Sequence, residues 1–267
     1  MILKDRASRW FCLALVMVLA TMSLAAGEEM GDSSPATDTP KIKVLYLAGG
    51  KIHNFKAIAG VVTPYLRDDS RFDVTLVLDD LDALLPHRLA PYDVIVFYYT
   101  VGTITEAQRE GLLNWVASGK GYVGFHSAAD SFRDDKKYQK FVGGHFIGHP
   151  HYRTYQVSVK DPGHPIMKGL PKDFLFTGEQ YILKYDPKEL HILASGLWKG
   201  EAMPWAWTRK WGEGRVFYVG AGHDARECRQ EFAEQVAGGV IGHDVRACGK
   251  DIFRDIITKA VTWAAGK

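Results

Sequence analysis

The chain has few cysteines, no net charge over most of its length and no recognisable phosphate-binding loop, and each lack removes a class of function. Only three of its 267 residues are cysteine, at positions 12, 228 and 248. None stands in a CxxC pair or beside a nucleophile signature, which argues against thiol redox chemistry and cysteine catalysis. Of 33 basic and 31 acidic residues, Lys4, Arg6, Arg9 and Asp5 lie in the first 26, so the formal charge of +2 arises there and the rest is neutral. A neutral body gives no electrostatic reason to expect nucleic acid or an anionic membrane as partner. The run Gly49-Gly50-Lys51-Ile52-His53 breaks the GxGxxG pattern, and GxxxxGK[ST] does not occur, so a nucleotide cofactor is disfavoured. GxSxG is missing as well. In its place stands Val123-Gly124-Phe125-His126-Ser127, with histidine at the apex of a strand-to-helix turn.

What is present begins with a targeting signature. Residues 1–26 combine a basic start, an apolar run from Trp10 to Ala20 and a small-residue exit, which reads as a secretory signal peptide. The run is short for a membrane span, so no stable membrane insertion is expected after cleavage. Residues 27–40 are rich in Ser, Thr, Pro, Asp and Glu and read as a disordered tether. Residues 41–267 form the expected domain, placed in the periplasm or outside the cell. An oxidising compartment makes a disulfide between Cys228 and Cys248 one expectation and two buried thiols the other.

The domain reads as α/β. Buried strands are expected at Lys41–Ala48, Phe72–Leu78, Asp93–Tyr99 and Gly121–His126, with helices at Phe55–Leu66 and after Thr105, whose Gln108 completes a capping box. Strands and helices alternating at this spacing imply a doubly wound, mainly parallel, flavodoxin-like sheet. From Tyr152 to Tyr218 short strand-like runs predominate, with Trp211-Gly212-Glu213-Gly214-Arg215 as a hairpin turn. These form an antiparallel extension of the same sheet. Helical segments are expected at Glu231–Ala237 and Ile252–Ala264.

Ligands of open α/β sheets bind at the carboxyl ends of the strands. Three histidines stand there: His53, His126 and His223. Neutral imidazole is a common ligand for zinc and similar divalent metals and a proton shuttle near neutral pH. A second group, His145, His149 and His151, occupies what reads as a Gly/Pro-bounded loop, with a spacing that matches no standard zinc signature. Glu179 is the carboxylate chosen as a further ligand or general base. Trp198, Trp205, Trp207 and Trp211 offer flat faces on which a sugar can stack, or fill the core.

The tracts Gly119–Asp130, Gly143–Pro150, His164-Pro165-Ile166, Met203–Arg209 and Gly212–Asp224 together resemble the ThuA (trehalose utilisation) family, over most of residues 41–267. The resemblance implies a class I glutamine amidotransferase-like fold and a carbohydrate substrate, from trehalose and related disaccharides to their keto forms. Amidotransferases of that class carry cysteine at the elbow where His126 stands here, so glutamine hydrolysis is not expected. Carried over singly, His53, His126, His149 and His223 match family histidines as metal ligands, and Glu179 matches a Glu-x-Tyr glutamate ending at Tyr181. Residues 225–250 depart from the family as an insertion, and Gly178 departs where relatives have an acidic residue.

The leading expectation is an exported, metal-assisted hydrolase or lyase acting on a disaccharide or keto-glycoside. Glu179 and His126 would be catalytic, a divalent metal such as zinc would sit on His53, His126, His149 and His223, and Trp205, Trp207 and Tyr181 would hold the sugar. The contrasting expectation is a sugar-binding module without catalysis.

Overall fold

The computed structural model describes residues 40–229 and 252–267. The expected signal peptide, nearly all of the expected tether, Cys248 and the helix expected at Glu231–Ala237 lie outside them. In chain order the elements are β1 (Ile42–Gly50), α1 (Phe55–Arg67), β2 (Phe72–Leu78), α2 (Pro86–Leu89), β3 (Val94–Thr100), α3 (Glu106–Ala117), β4 (Gly121–Phe125), α4 (Lys136–Val142) and β5 (Gly144–Gly148). There follow β6 (Arg153–Val159), β7 (Asp173–Gly178), β8 (Ile182–Tyr185), β9 (His191–Trp198), β10 (Glu201–Trp211), β11 (Gly214–Val219), α5 (Ala225–Arg229) and α6 (Ile252–Ala264).

The main sheet runs β2-β1-β3-β4-β11-β10-β9-β6-β7. Its first five strands are parallel and the remainder pair antiparallel, which is the doubly wound sheet with an antiparallel extension. Every residue of β3 is buried, as a central parallel strand covered on both faces requires. In β1 the two-residue period separates the faces. Val44, Tyr46 and Ala48 pack toward Ile58, Val62 and Leu66 of α1 and Ile256, Ile257 and Val261 of α6. Leu45 and Leu47 face Leu112 and Val116 of α3. Each fully buried aliphatic side chain contributes about 1.5–3 kcal/mol. The α3 capping box forms with both arms: Gln108 N–H donates to Thr105 Oγ1 at 3.3 Å, and Thr105 N–H to Gln108 Oε1 at 2.9 Å.

Two departures from the sequence reading bear on the site. The tract holding His145 is a strand: β5 pairs with β8, with His145 opposite Lys184, in a separate two-stranded sheet. Also, β7 forms at Asp173–Gly178, a run not singled out within the Tyr152–Tyr218 tract, and it ends directly before Glu179. Gly50 explains how β1 and β3 can end side by side. Its φ of +100° suits glycine, and a Cβ there would strike the Thr100 backbone.

Candidate functional site

The parallel strands bring their carboxyl ends into a row. His53 follows β1, Thr100 ends β3, His126 follows β4 at once, and His223 follows β11. Glu179 arrives from the antiparallel side, on the Gly178–Tyr181 connection between β7 and β8. One donor atom from each of His53, His126, Glu179 and His223 lies within 4.8 Å of those of the other three.

His126 occupies the elbow with φ +39°, a left-handed conformation that is uncommon for a residue with a Cβ. Its ring is fully buried. Nδ1 lies 3.0 Å from the Gly220 carbonyl oxygen, which only accepts, so Nδ1 carries the hydrogen and Nε2 presents a lone pair. That Nε2 has no hydrogen-bond partner and faces Glu179 Oε2 at 3.3 Å. His223 Nδ1 lies 3.2 Å from the same oxygen, and it too is buried without a hydrogen bond. For His53, Nδ1 is 2.8 Å from Thr100 Oγ1, which leaves Nε2 as its free nitrogen.

Electrostatics favour deprotonated ligands. Burial, reinforced by the neighbouring His126 and His223, pushes the His53 pKa down to about 3. Burial likewise lowers that of His126. Burial opposes ionisation of Glu179, yet close contact with the His126 and His223 rings outweighs it and holds the carboxyl well below its usual range. At neutral pH a carboxylate therefore faces the lone pair of a neutral imidazole across 3.3 Å, an arrangement that a cation between them relieves.

The ring geometry permits a sharper test of fit. His53 and His126 have ring centroids 5.0 Å apart, His53 and His223 5.0 Å, and His126 and His223 5.3 Å, all edge to face. Imidazoles bound tetrahedrally with metal–nitrogen bonds of about 2.1 Å put their centroids about 5.2 Å apart, and adjacent donor atoms about 3.4 Å apart. The four residues fit a divalent metal of zinc-like ligand preference.

His149 stands outside this set. Its Nδ1 lies 3.1 Å from Glu179 Oε1 and 2.9 Å from the Pro150 carbonyl oxygen. Facing two acceptors, that nitrogen carries a hydrogen and makes the ring a partner of Glu179; His149, expected among the ligands, is not one of the four clustered residues. His145 and His151 are also absent from the cluster.

The aromatic expectations fail more plainly. Trp205 and Trp207 are 3% and 0% exposed, with indole N–H groups donated to Tyr155 Oη and the Val142 carbonyl, so neither can stack on a sugar. Tyr181 is 4% exposed and backs the site, its ring 4.1 Å from that of His126 and 4.4 Å from Phe146. Tyr152, 36% exposed with its ring 5.8 Å from that of His223, is a partly exposed aromatic beside the cluster that the sequence reading had passed over. Cys228 is a buried free thiol, and Cys248, its expected partner, lies outside the described residues. Thr100 and the Gly220 carbonyl were missed too. A strand-terminal threonine beside a glycine-broken neighbouring strand is the signal that could have found the first.

The sequence profile of the trehalose utilisation family, ThuA, matches residues 43–241. A search of curated proteins gave no match. Among solved structures, a ThuA-like protein of Parabacteroides merdae superposes with TM-score 0.69 at 20% identity, covering 85% of this chain and 91% of its own. A ThuA-like protein of Bacteroides uniformis gives TM-score 0.59 at 23% identity, covering 74% and 88%. A cytoplasmic protein of Salmonella typhimurium LT2 gives 0.57 at 13%, covering 84% and 99%.

Proposed function

Because the chain belongs to the trehalose utilisation family, and so to carbohydrate utilisation, we propose that it is an exported metal-assisted enzyme that cleaves a disaccharide or keto-glycoside. One observation carries the reading: three imidazoles and a carboxylate converge with metal-like spacing while His126 Nε2 and His223 Nδ1 are buried without a hydrogen bond. His53, His126, Glu179 and His223 would hold the ion, which when bound would polarise a sugar carbonyl or hydroxyl oxygen.

The chain's own residues do the rest. Glu179 Oε1 accepts from His149 Nδ1–H and so orients that half-exposed ring, leaving its Nε2 to serve as a base. The fully buried His126 is confined to the cluster, so the proton falls to His149. On a keto-glycoside His149 takes the hydrogen α to the keto group. The C–H pair becomes a C=C bond as the glycosidic C–O bond breaks, and the departing alcohol recovers the proton. Addition of water across that C=C completes hydrolysis. Tyr152 offers the face on which the sugar ring rests.

Metal analysis of the purified chain and turnover of trehalose, sucrose and 3-keto-glycosides, with and without a chelator, test this. Bound metal near one equivalent, lost in His53→Ala and His223→Ala, with turnover abolished by chelation and restored by one ion, is the expected result. A metal-free chain that binds disaccharide unchanged would show a sugar-binding module instead.

A further inference from the structure

Glu227, on α5, is an acid with no obvious reason to be where it is. It is 1% exposed, and transfer of an ionisable group into the interior is costly unless it is partnered. One carboxylate oxygen, Oε2, accepts the backbone N–H of His223. The other, Oε1, is buried with no hydrogen-bond partner. A second strand contributes to the same spot: a Cβ placed on Gly178 would fall on the Glu227 carboxylate, so only a residue without a side chain leaves it room. Gly178 directly precedes Glu179. The carboxylate thus touches both connections that deliver cluster residues from opposite sides of the sheet, the one after β7 and the one after β11. Its own backbone is fixed in turn, since Glu227 N–H donates to Asp224 Oδ1 at 2.8 Å.

We propose that Glu227 is a positioning residue of the metal site: seated in the space left by Gly178, it grips the His223 backbone and sets that histidine at its distance from Glu179. An apolar side chain of the same length would fill the space as well and at lower cost of burial, but it could not accept the N–H. The inference rests on reading the cluster as a metal site, and it assigns Glu227 no contact with substrate or ion.

Zinc affinity of the full chain, stripped of metal and titrated with zinc against a chelating dye, is the measurement. Glu227→Met keeps the length and removes the acceptor, and weakens zinc by about 10- to 100-fold, the usual effect of losing an orienting partner. Glu227→Gln keeps an accepting oxygen and stays within about threefold. Gly178→Ala, which displaces the carboxylate, follows Glu227→Met and serves if that variant does not fold. In a His223→Ala background the Glu227→Met change costs less than about threefold, because the residue it positions is gone. Unchanged affinity in Glu227→Met, an equal fall in Glu227→Gln, or an undiminished fall in the His223→Ala background would each overturn the proposal. Wild-type chain that takes up no zinc would overturn the metal reading and this inference with it, whereas tight zinc in both wild type and Glu227→Met would overturn this inference alone.

Discussion

Replacing His149 by alanine should separate metal binding from turnover, because its Nδ1 touches Glu179 Oε1 at 3.1 Å while the four clustered donors face the other oxygen or one another. Zinc sites of four protein ligands bind with about 10–16 kcal/mol, or about 3 kcal/mol per ligand, so losing a true ligand costs about 100-fold or more in affinity. Removing His53 or His223, or the charge of Glu179 by Glu179→Gln, should reach that figure. His149→Ala removes only an orienting partner with a half-exposed ring and should cost about tenfold. Its turnover, measured with zinc restored to saturation, should fall by about 10²- to 10⁴-fold, the contribution of a placed base. The assays are dye competition for zinc and product release from a 3-keto-glycoside. If His149→Ala loses zinc as severely as His53→Ala, the ring is a ligand and not merely a partner of Glu179. Should it keep both zinc and full turnover, the proton is moved elsewhere.

Acid should destabilise the metal-free chain early: with a His53 pKa of about 3 when folded and 6.5 when unfolded, the unfolded state binds the extra proton, so stability falls as pH drops through that window. A melting temperature that is level from pH 7 to pH 5 would contradict the burial of that imidazole. Trp207→Ala should cost about 3–5 kcal/mol in denaturant unfolding, since the indole is fully buried, stacked 4.1 Å from Tyr218 and bonded to Val142. Tyr152→Ala should leave stability within about 1 kcal/mol and weaken sugar binding by about tenfold, and the reverse pattern would return the sugar to the tryptophans.

The parallel half of the sheet was legible because its strands are uninterrupted apolar runs and its helices carry caps, as at Thr105. The three strand-end histidines followed from that layout. Where reading failed, the cause lay in contacts remote in sequence. Trp205 and Trp207, two apart, should share a face of β10, but register shifts against β9 around Ala206 send them to opposite cores. The role of His149 depended on which atoms its Nδ1 meets, and Glu227 on a vacancy at Gly178, neither of which has a local signature.

The elbow shows how function is drawn from strain at this site. A residue with a Cβ held in the left-handed region costs about 1–2 kcal/mol, and His126 is held there at φ +39°. Its backbone carbonyl accepts from Tyr218 Oη at 2.8 Å, a contact that holds the turn even when the imidazole is removed. His126→Ala and His126→Gly both delete the imidazole and should both lose zinc by about 100-fold or more. Glycine escapes the steric penalty that alanine keeps, against about 0.5–1 kcal/mol of added freedom when unfolded. The glycine variant should therefore be at least as stable as the alanine one, by up to about 1.5 kcal/mol in metal-free denaturant unfolding. A glycine variant clearly less stable than alanine would mean that the turn at 126 is not strained, and that the histidine sits there at no cost to the fold.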